Sequence, residues 1–219
     1  MINWNHIDTV LLDMDGTLLD LHFDNYFWLN YLPEKYAEAH HIDSTSANAL
    51  LSSHINELRG TLKWYCLDHW SELLSLDIQA LKQDVKHKIR LRPFALEFLQ
   101  QLRILNKRLV LVTNAHPDGL ALKLKETEID AWLDNIISSH EFQVPKEELS
   151  FWKQLQITEP FDRHKTLFID DTLPILACAK TFGIKHLLCI RQPDSQREQR
   201  NIKEFPAIHH FDEILPSTR

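Results

Sequence analysis

Residues Thr9 to Leu19 read TVLLDMDGTLL, and the reading of this stretch decides the fold. Val10, Leu11 and Leu12 form a short apolar run of strand formers, the pattern of a β-strand buried on both faces. The run passes directly into Asp13, Met14, Asp15, Gly16 and Thr17. Side chains two apart on a strand share a face, so Asp13 and Asp15 should stand close together at its carboxyl end. Carboxylates at the end of a buried strand destabilise it unless their charge is compensated. A neighbouring pair points either to a divalent cation or to one protonated acid beside one base. Gly16 permits the sharp exit that lets a ligand approach the backbone. The plainer alternative is an Asp-Gly turn with both acids in water.

The rest of the composition narrows the field. At 219 residues the chain has room for one core domain and a smaller inserted one. Its net charge of −7 leaves no basic excess for a phosphate backbone, which argues against a nucleic-acid partner. A small phosphorylated molecule needs only one local cationic site and stays allowed. The glycines at 16, 60, 119 and 183 cannot build a GxGxxG loop or a Walker loop. Cys66, Cys178 and Cys189 are odd in number, far apart and without metal-ligand spacing. They read as reduced thiols of a cytoplasmic protein, with Cys178 and Cys189 in the core. No signal-peptide pattern and no membrane-length apolar run occur, so a soluble protein without a membrane partner is expected.

Outward from the first strand, the pattern turns helical between Asp20 and about Arg90. An aromatic-rich helix beginning at Phe23 should end near Pro33. A second, capped by Asp43 or Ser44, should stop at Gly60. A third spans Leu62 to Leu76, and a fourth begins at about Asp77. Pro93 suits the first turn of a helix reaching Asn106, and Leu109 to Val112 is a second buried strand. Further strands are expected at Ile136–Ser139, Thr166–Ile169 and Leu187–Ile190, with helices between, the one after Val144-Pro145-Lys146 included. Strand, helix, strand with right-handed crossovers makes a parallel α/β sheet whose site lies at the strand carboxyl ends. The tail should be polar, with a short terminal helix, and the pairs His40-His41 and His209-His210 should be solvated.

Polar residues recur at those ends: Asp13 and Asp15, Thr113 and Asn114, Lys146, Asp170 and Asp171. Each has a bland reading as a turn hydroxyl, a surface lysine or a helix-capping acid. In this order, however, the set resembles all four motifs of the haloacid-dehalogenase-like (HAD) phosphohydrolases. That resemblance implies a Rossmann-like open parallel sheet, residues 1–19 and 91–219, with an inserted helical C1-type cap, residues 20–90. It also implies Mg²⁺, bound by Asp13, the Asp15 carbonyl and an acid of the Asp170-Asp171 pair, Asp171 directly and Asp170 directly or through water. Asp13 would be the nucleophile that forms an aspartyl-phosphate, and Asp15 the general acid and base. Thr113 and Asn114 would hold phosphate oxygens, and Lys146 would offset their charge. An aspartate at position 15 disfavours dehalogenation, since carbon–halogen-cleaving relatives lack it.

LLDMDGTLLDLHFDNYFW, LKWYCLDHW, LVTNAHP and FIDD are more narrowly similar to the bacterial GMP/IMP 5′-nucleotidase branch of that family. The resemblance implies a phosphomonoesterase for purine nucleoside monophosphates, monomeric or homodimeric. EFQVPKEE lacks the glycine common before the motif lysine, which bears on the local turn and not on the cation. Cap residues after Asp20, notably Phe23 and Asp24, should start near the site. Trp64, Tyr65 or Trp70 either stacks on a flat leaving group or belongs to the cap's own core. His116 either touches substrate or caps the following helix. The same chemistry could serve phosphoglycolate, a sugar phosphate or pyrophosphate, or a phosphomutase. A phosphate-binding regulator without turnover is disfavoured by the intact polar set.

Overall fold

The computed structural model describes residues 2–216. Its strands are β1 (Thr9–Leu12), β2 (Arg108–Thr113), β3 (Asn135–Ser138), β4 (Thr166–Asp170), β5 (His186–Ile190) and β6 (Ala207–Ile208). They form one parallel sheet of six strands in the order β3-β2-β1-β4-β5-β6. Every β1 side chain is buried, as expected for its central place. The order reverses direction at β1, whose neighbours are β2 and β4, and a crevice opens at such a switch point. Leu12 is level with Leu111 and with Ile169, so the residues that follow all three strands emerge along one edge. The Asp13 N–H donates to the Ile169 carbonyl at 3.0 Å and carries the ladder into the motif.

Alternation along the strands builds a core on each face. Val10, Leu12, Leu111 and Ile169 pack against Phe98, Leu99 and Leu102 on the helix Ala95–Ile104. Leu11, Val112 and Phe168 face Trp152 and Leu155 on one helix and Leu176 and Ala179 on another.

Between β1 and β2 the chain is mostly helical: α1 (His22–Tyr26), α2 (Leu32–His40), α3 (Ser44–Leu58), α4 (Leu62–Tyr65), α5 (Leu67–Leu74), α6 (Ile78–Asp84) and α7 (Ala95–Ile104). Then come α8 (Pro117–Thr127), α9 (Ser139–Phe142), α10 (Leu149–Thr158) and α11 (Leu173–Phe182). The layer α1–α6 has its own apolar core of Phe23, Phe27, Leu51, Trp70, Leu74 and Ile78. Leu122 of α8 enters that core, so the layer rests on α8. None of the described helices is long and apolar enough to cross a membrane.

Several boundaries differ from the sequence expectation. The first helix does not stop near Pro33: a π-helical stretch, Phe27–Tyr31, leads straight into α2. Proline lacks the N–H for a bond to the carbonyl four residues back, and the chain changes its helical pitch in the turn just before Pro33. The expected helix from Leu62 to Leu76 is two helices, broken at Cys66 with extended backbone (φ −85°, ψ 108°). Pro93 lies ahead of α7, which begins after Phe94 in left-handed geometry (φ 62°). Lys146 stands on a turn before α10 rather than inside it. In the tail, β6 extends the sheet, and a short 3₁₀ helix follows at Phe211–Ile214.

The histidines at 209 and 210 are half-buried, not solvated, with rings stacked at 3.7 Å. His209 Nε2 meets Gln192 Oε1 at 2.6 Å, and the His209 carbonyl accepts from the buried Arg92 guanidinium at 2.7 Å. Arg92 also donates to the Gln192 carbonyl. It thereby ties the chain's return from the helical layer to the C-terminal loops.

Trp70 is fully buried in the helical layer, and its indole N–H donates to the Trp64 carbonyl at 2.9 Å. Trp70→Ala should lower stability by about 3–5 kcal/mol, read as a lower urea midpoint with little change in slope.

Candidate active site

The strand ends converge as the register requires. Lys146 Nζ lies 2.6 Å from Asp13 Oδ1, 2.8 Å from Asp170 Oδ2 and 3.0 Å from the Val112 carbonyl. One buried ammonium thus links β1, β2 and β4. Its stem is held because the Lys146 N–H donates to Asn114 Oδ1 at 3.0 Å and its carbonyl accepts from the Trp152 indole at 2.8 Å. The other Asp170 oxygen accepts the Thr172 N–H at 2.7 Å. Among the described residues, the Asp171 carboxylate accepts only the Thr172 hydroxyl, at 3.2 Å. Thr113 Oγ1 accepts the Ala115 N–H at 3.0 Å, which shapes the turn after β2. Gly16 (φ 84°) fits this crowding: a Cβ there would lie 2.8 Å from Asp171 Cγ and 2.9 Å from Pro193 Cβ.

Asp15 faces a second buried ammonium, Lys123 of α8, at 2.7 Å. Lys123 also meets Asp24 at 2.7 Å, and Asp24 meets Lys82 of α6 at 2.8 Å. The chain Asp15–Lys123–Asp24–Lys82 therefore runs from the strand end into the helical layer.

A cavity of about 260 Å³ joins these groups and is walled by Asp13, Asp15, Thr113, Lys146 and Asp171 at one end. Trp28, Trp64, Tyr65, Asn25 and Leu21 wall the other end. Asn114, His116 and Asp24 also border it. Two expected contacts do not reach it. Trp70 belongs to the core of the helical layer, and Phe23 is buried beneath Lys82 and Lys123, 4.9 and 5.4 Å from its ring centroid. Hydrophobic helix faces turned both inward. His116 caps α8, as one of the two readings had it, through Nδ1 over a long 3.4 Å bond, and its ring borders the cavity.

Four residues that sequence reasoning passed over belong here: Lys82, Lys123, Trp28 and Glu147. Glu147 accepts Asn114 Nδ2 at 2.9 Å on one oxygen and the Tyr65 hydroxyl at 2.7 Å on the other. It is the residue next to Lys146, the only signal that could have marked it. A lysine on an amphipathic helix looks like a surface lysine until its acid partner, 99 positions away for Lys123 and Asp24, is in place.

Comparison with known proteins adds a second line. Residues 7–183 match the model of the haloacid dehalogenase-like hydrolase family. The chain belongs to that family. This hydrolase is 40% identical over 216 residues to the GMP/IMP nucleotidase YrfG of Escherichia coli, covering 99% of this chain and 97% of the relative. It superposes on the HAD phosphatase from Thermococcus onnurineus with a TM-score of 0.79 at 22% identity, over 94% of this chain and 95% of that one. A dehalogenase superposes with a TM-score of 0.64 at 18% identity, over 97% and 96% of the two chains. The fold therefore spans more than one chemistry, and the residues at the strand ends must decide between them.

Electrostatics of the hydrolase's site favour a bound cation. Oxygens of Asp13, Asp170 and Asp171 lie within 4.8 Å of one another, an all-oxygen set suited to a hard divalent ion. Lys146 faces this cluster, and the Arg200 guanidinium pulls against the rise of Asp171 from the other side. Burial, then Asp170 and Asp13, push the Asp171 carboxyl up to about 8. Burial raises Asp13 to about 6 against the pull of Lys146. Burial alone would lower Lys146, but Asp13 and Asp170 hold it charged. The donor set thus fits a divalent cation that offsets the surplus negative charge.

Asp171 holds its proton to higher pH than the ordinary 3.8 of a free aspartate. Its contribution to stability is complete below pH 3.8 and disappears as pH rises through about 8. In chelator, the melting temperature should therefore fall across that interval, and a divalent cation should restore it. Asp171→Asn should flatten the fall and abolish the cation's effect, as thermal melts across pH will show.

Proposed function

We propose that this hydrolase cleaves purine nucleoside 5′-monophosphates to nucleoside and inorganic phosphate through an aspartyl-phosphate on Asp13. Its near full-length 40% identity to a protein named as a GMP/IMP nucleotidase carries the substrate class. The buried Asp13–Lys146 pair supports the mechanism. Residues 20–90 act as a cap over a core of residues 1–19 and 91–219.

Lys146 engages Asp13 Oδ1, which leaves Oδ2 outside the ion pair to attack phosphorus. As the Oδ2–P bond forms, the bond from phosphorus to the ester oxygen breaks, and Asp15 gives that oxygen a proton. Asp15 suits the step because burial pushes its carboxyl up to about 6, so a protonated fraction persists near neutrality. A water then attacks phosphorus, Asp15 takes its proton, and the Oδ2–P bond breaks to return Asp13 as carboxylate. Thr113 and the Asn114 backbone hold the remaining phosphate oxygens. Mg²⁺, held by Asp13, the Asp15 carbonyl and Asp171, would supply charge compensation at the phosphate. Asp170 has both oxygens engaged by Lys146 and Thr172, which favours Asp171 as the nearer ligand. Trp28 and Trp64, with ring centroids 5.5 Å apart, and Tyr65 offer the flat faces for a base. A cytoplasmic setting fits the three free cysteines.

Phosphate release from a panel of monoesters with Mg²⁺ tests the substrate class. GMP and IMP should exceed sugar phosphates, phosphoglycolate and pyrophosphate, and equal rates across the panel would remove the nucleotidase assignment. Asp13→Asn should lower kcat by about 10⁴-fold or more while leaving the melting curve cooperative. Lys123→Met keeps an aliphatic stem and removes the charge beside Asp15. It should move the alkaline limb of the kcat–pH profile upward, because Lys123 holds the Asp15 carboxyl down.

A further inference from the structure

Cys66, His116 and His140 are distant in sequence and share no spacing signal, yet the fold gathers them. One ligand atom from each lies within 4.8 Å of the other two. Cys66 sits in the break between α4 and α5, at the edge of the helical layer. His116 caps α8, and His140 lies on α9 just after β3. We propose that these three side chains form a site for a zinc-class transition-metal ion at the seam between the helical layer and the sheet.

The donor chemistry selects the ion. One sulfur and two imidazole nitrogens suit zinc or cobalt and are poor ligands for magnesium. A tetrahedral zinc sets such atoms about 3.3–3.8 Å apart, so inward rotations of roughly an ångström would complete the site. The backbone of His140 is fixed by the capping box of Ser138 and Glu141. Its Nε2 is shielded from solvent and has no hydrogen-bond partner among the described residues. A buried nitrogen left unpaired is destabilising, and a metal bond would satisfy it. Burial, then His116, push His140 down to about 4, so its lone pair is free near neutrality.

His116 is arranged in the same sense. In the tautomer with its proton on Nδ1, that nitrogen gives up the long 3.4 Å cap bond and faces the Asp118 carboxylate at 3.6 Å, the kind of partner that fixes a ligating imidazole through its other nitrogen. That leaves Nε2 for the ion, with Asp68 Oδ2 at 3.5 Å from it as a fourth donor or the support of a water. An open cavity of about 600 Å³, walled by Cys66, Asp68, His116 and His140, gives an entry path. Binding would release the Cys66 thiol proton to solvent and clamp the helical layer beside Thr113. Turnover that needs the layer to lift would slow.

The full chain, stripped by chelator and returned to saturating Mg²⁺, should bind one equivalent of Co²⁺ with an ultraviolet sulfur-to-cobalt charge-transfer band. Excess Mg²⁺ keeps the carboxylate cluster filled. Zn²⁺ should displace the cobalt. Cys66→Ser should abolish the band, and His140→Gln, which keeps the side chain's bulk, should weaken binding by at least about tenfold. Without zinc, Cys66→Ser should turn over like the parent. Zinc should slow the parent and spare Cys66→Ser. No charge-transfer band in the parent, or an equal band in a folded Cys66→Ser, would overturn the site. Stoichiometric binding with no slowing would overturn the clamp.

Discussion

Everything at the strand ends depends on one ammonium in a place where water cannot reach it. Lys146 is 1% exposed, and Asp13 and Asp170 on either side are 6% and 0% exposed. A buried ion pair is not stabilising by default, because desolvating both charges opposes their attraction. It persists here because each charge also has polar partners: the Val112 carbonyl for Lys146 and the Thr172 N–H for Asp170. Removing the lysine would leave adjacent carboxylates without their counterion. Removing Asp13 would leave Lys146 with Asp170 and a carbonyl, a milder loss. The asymmetry means that the lysine is the structural keystone even though the aspartate carries the chemistry.

The sheet makes this possible through register. Parallel strands of unequal length would scatter their ends, but Leu12, Leu111 and Ile169 are level, so the polar residues appear within a few ångströms of each other. The apolar run of each strand therefore does two jobs. It buries itself against helices on both faces, and by its length it sets where the charge begins. Arg92, Trp152 and Glu147 support that edge from three directions, tying the C-terminal loops, α10 and the helical layer to it.

This division explains what was legible in the sequence. Buried strands announce themselves as apolar runs, and carboxylates or hydroxyls at their ends are conspicuous because polar groups there need a reason. Asp13, Asp15, Thr113, Asp170 and Asp171 were visible on that ground, and Lys146 by its order among them. Helical residues carry no such contrast. Phe23 reads as a site residue by its nearness to the motif and Trp70 as either pocket or core, and packing sends both inward. Nothing in the sequence marks Lys82 and Lys123, because a helix always has a polar face. Their partners, Asp24 and Asp15, come from other elements. The break at Cys66 was also hidden, since Leu62 to Leu74 keeps a helical apolar pattern across it and no proline or glycine marks the interruption.

The same long-range pairing links catalysis to the helical layer. Asp24 lies between Lys82 and Lys123, and although burial alone would raise its carboxyl, the two lysines hold it well below the usual range. It therefore stays ionised near neutrality, and it keeps Lys123 charged from the side opposite Asp15. Lys82 belongs to the helical layer, whereas Lys123 rises from α8 beneath it. Displacing the layer would separate Asp24 from Lys123 and leave that lysine to Asp15 alone. The Asp15 carboxyl would then be held down more strongly and would protonate less readily. With the layer seated, Asp24 shares the lysine's charge, and Asp15 can carry a proton where a leaving group needs one. The position of the layer and the acidity of Asp15 are thus two readings of a single electrostatic arrangement.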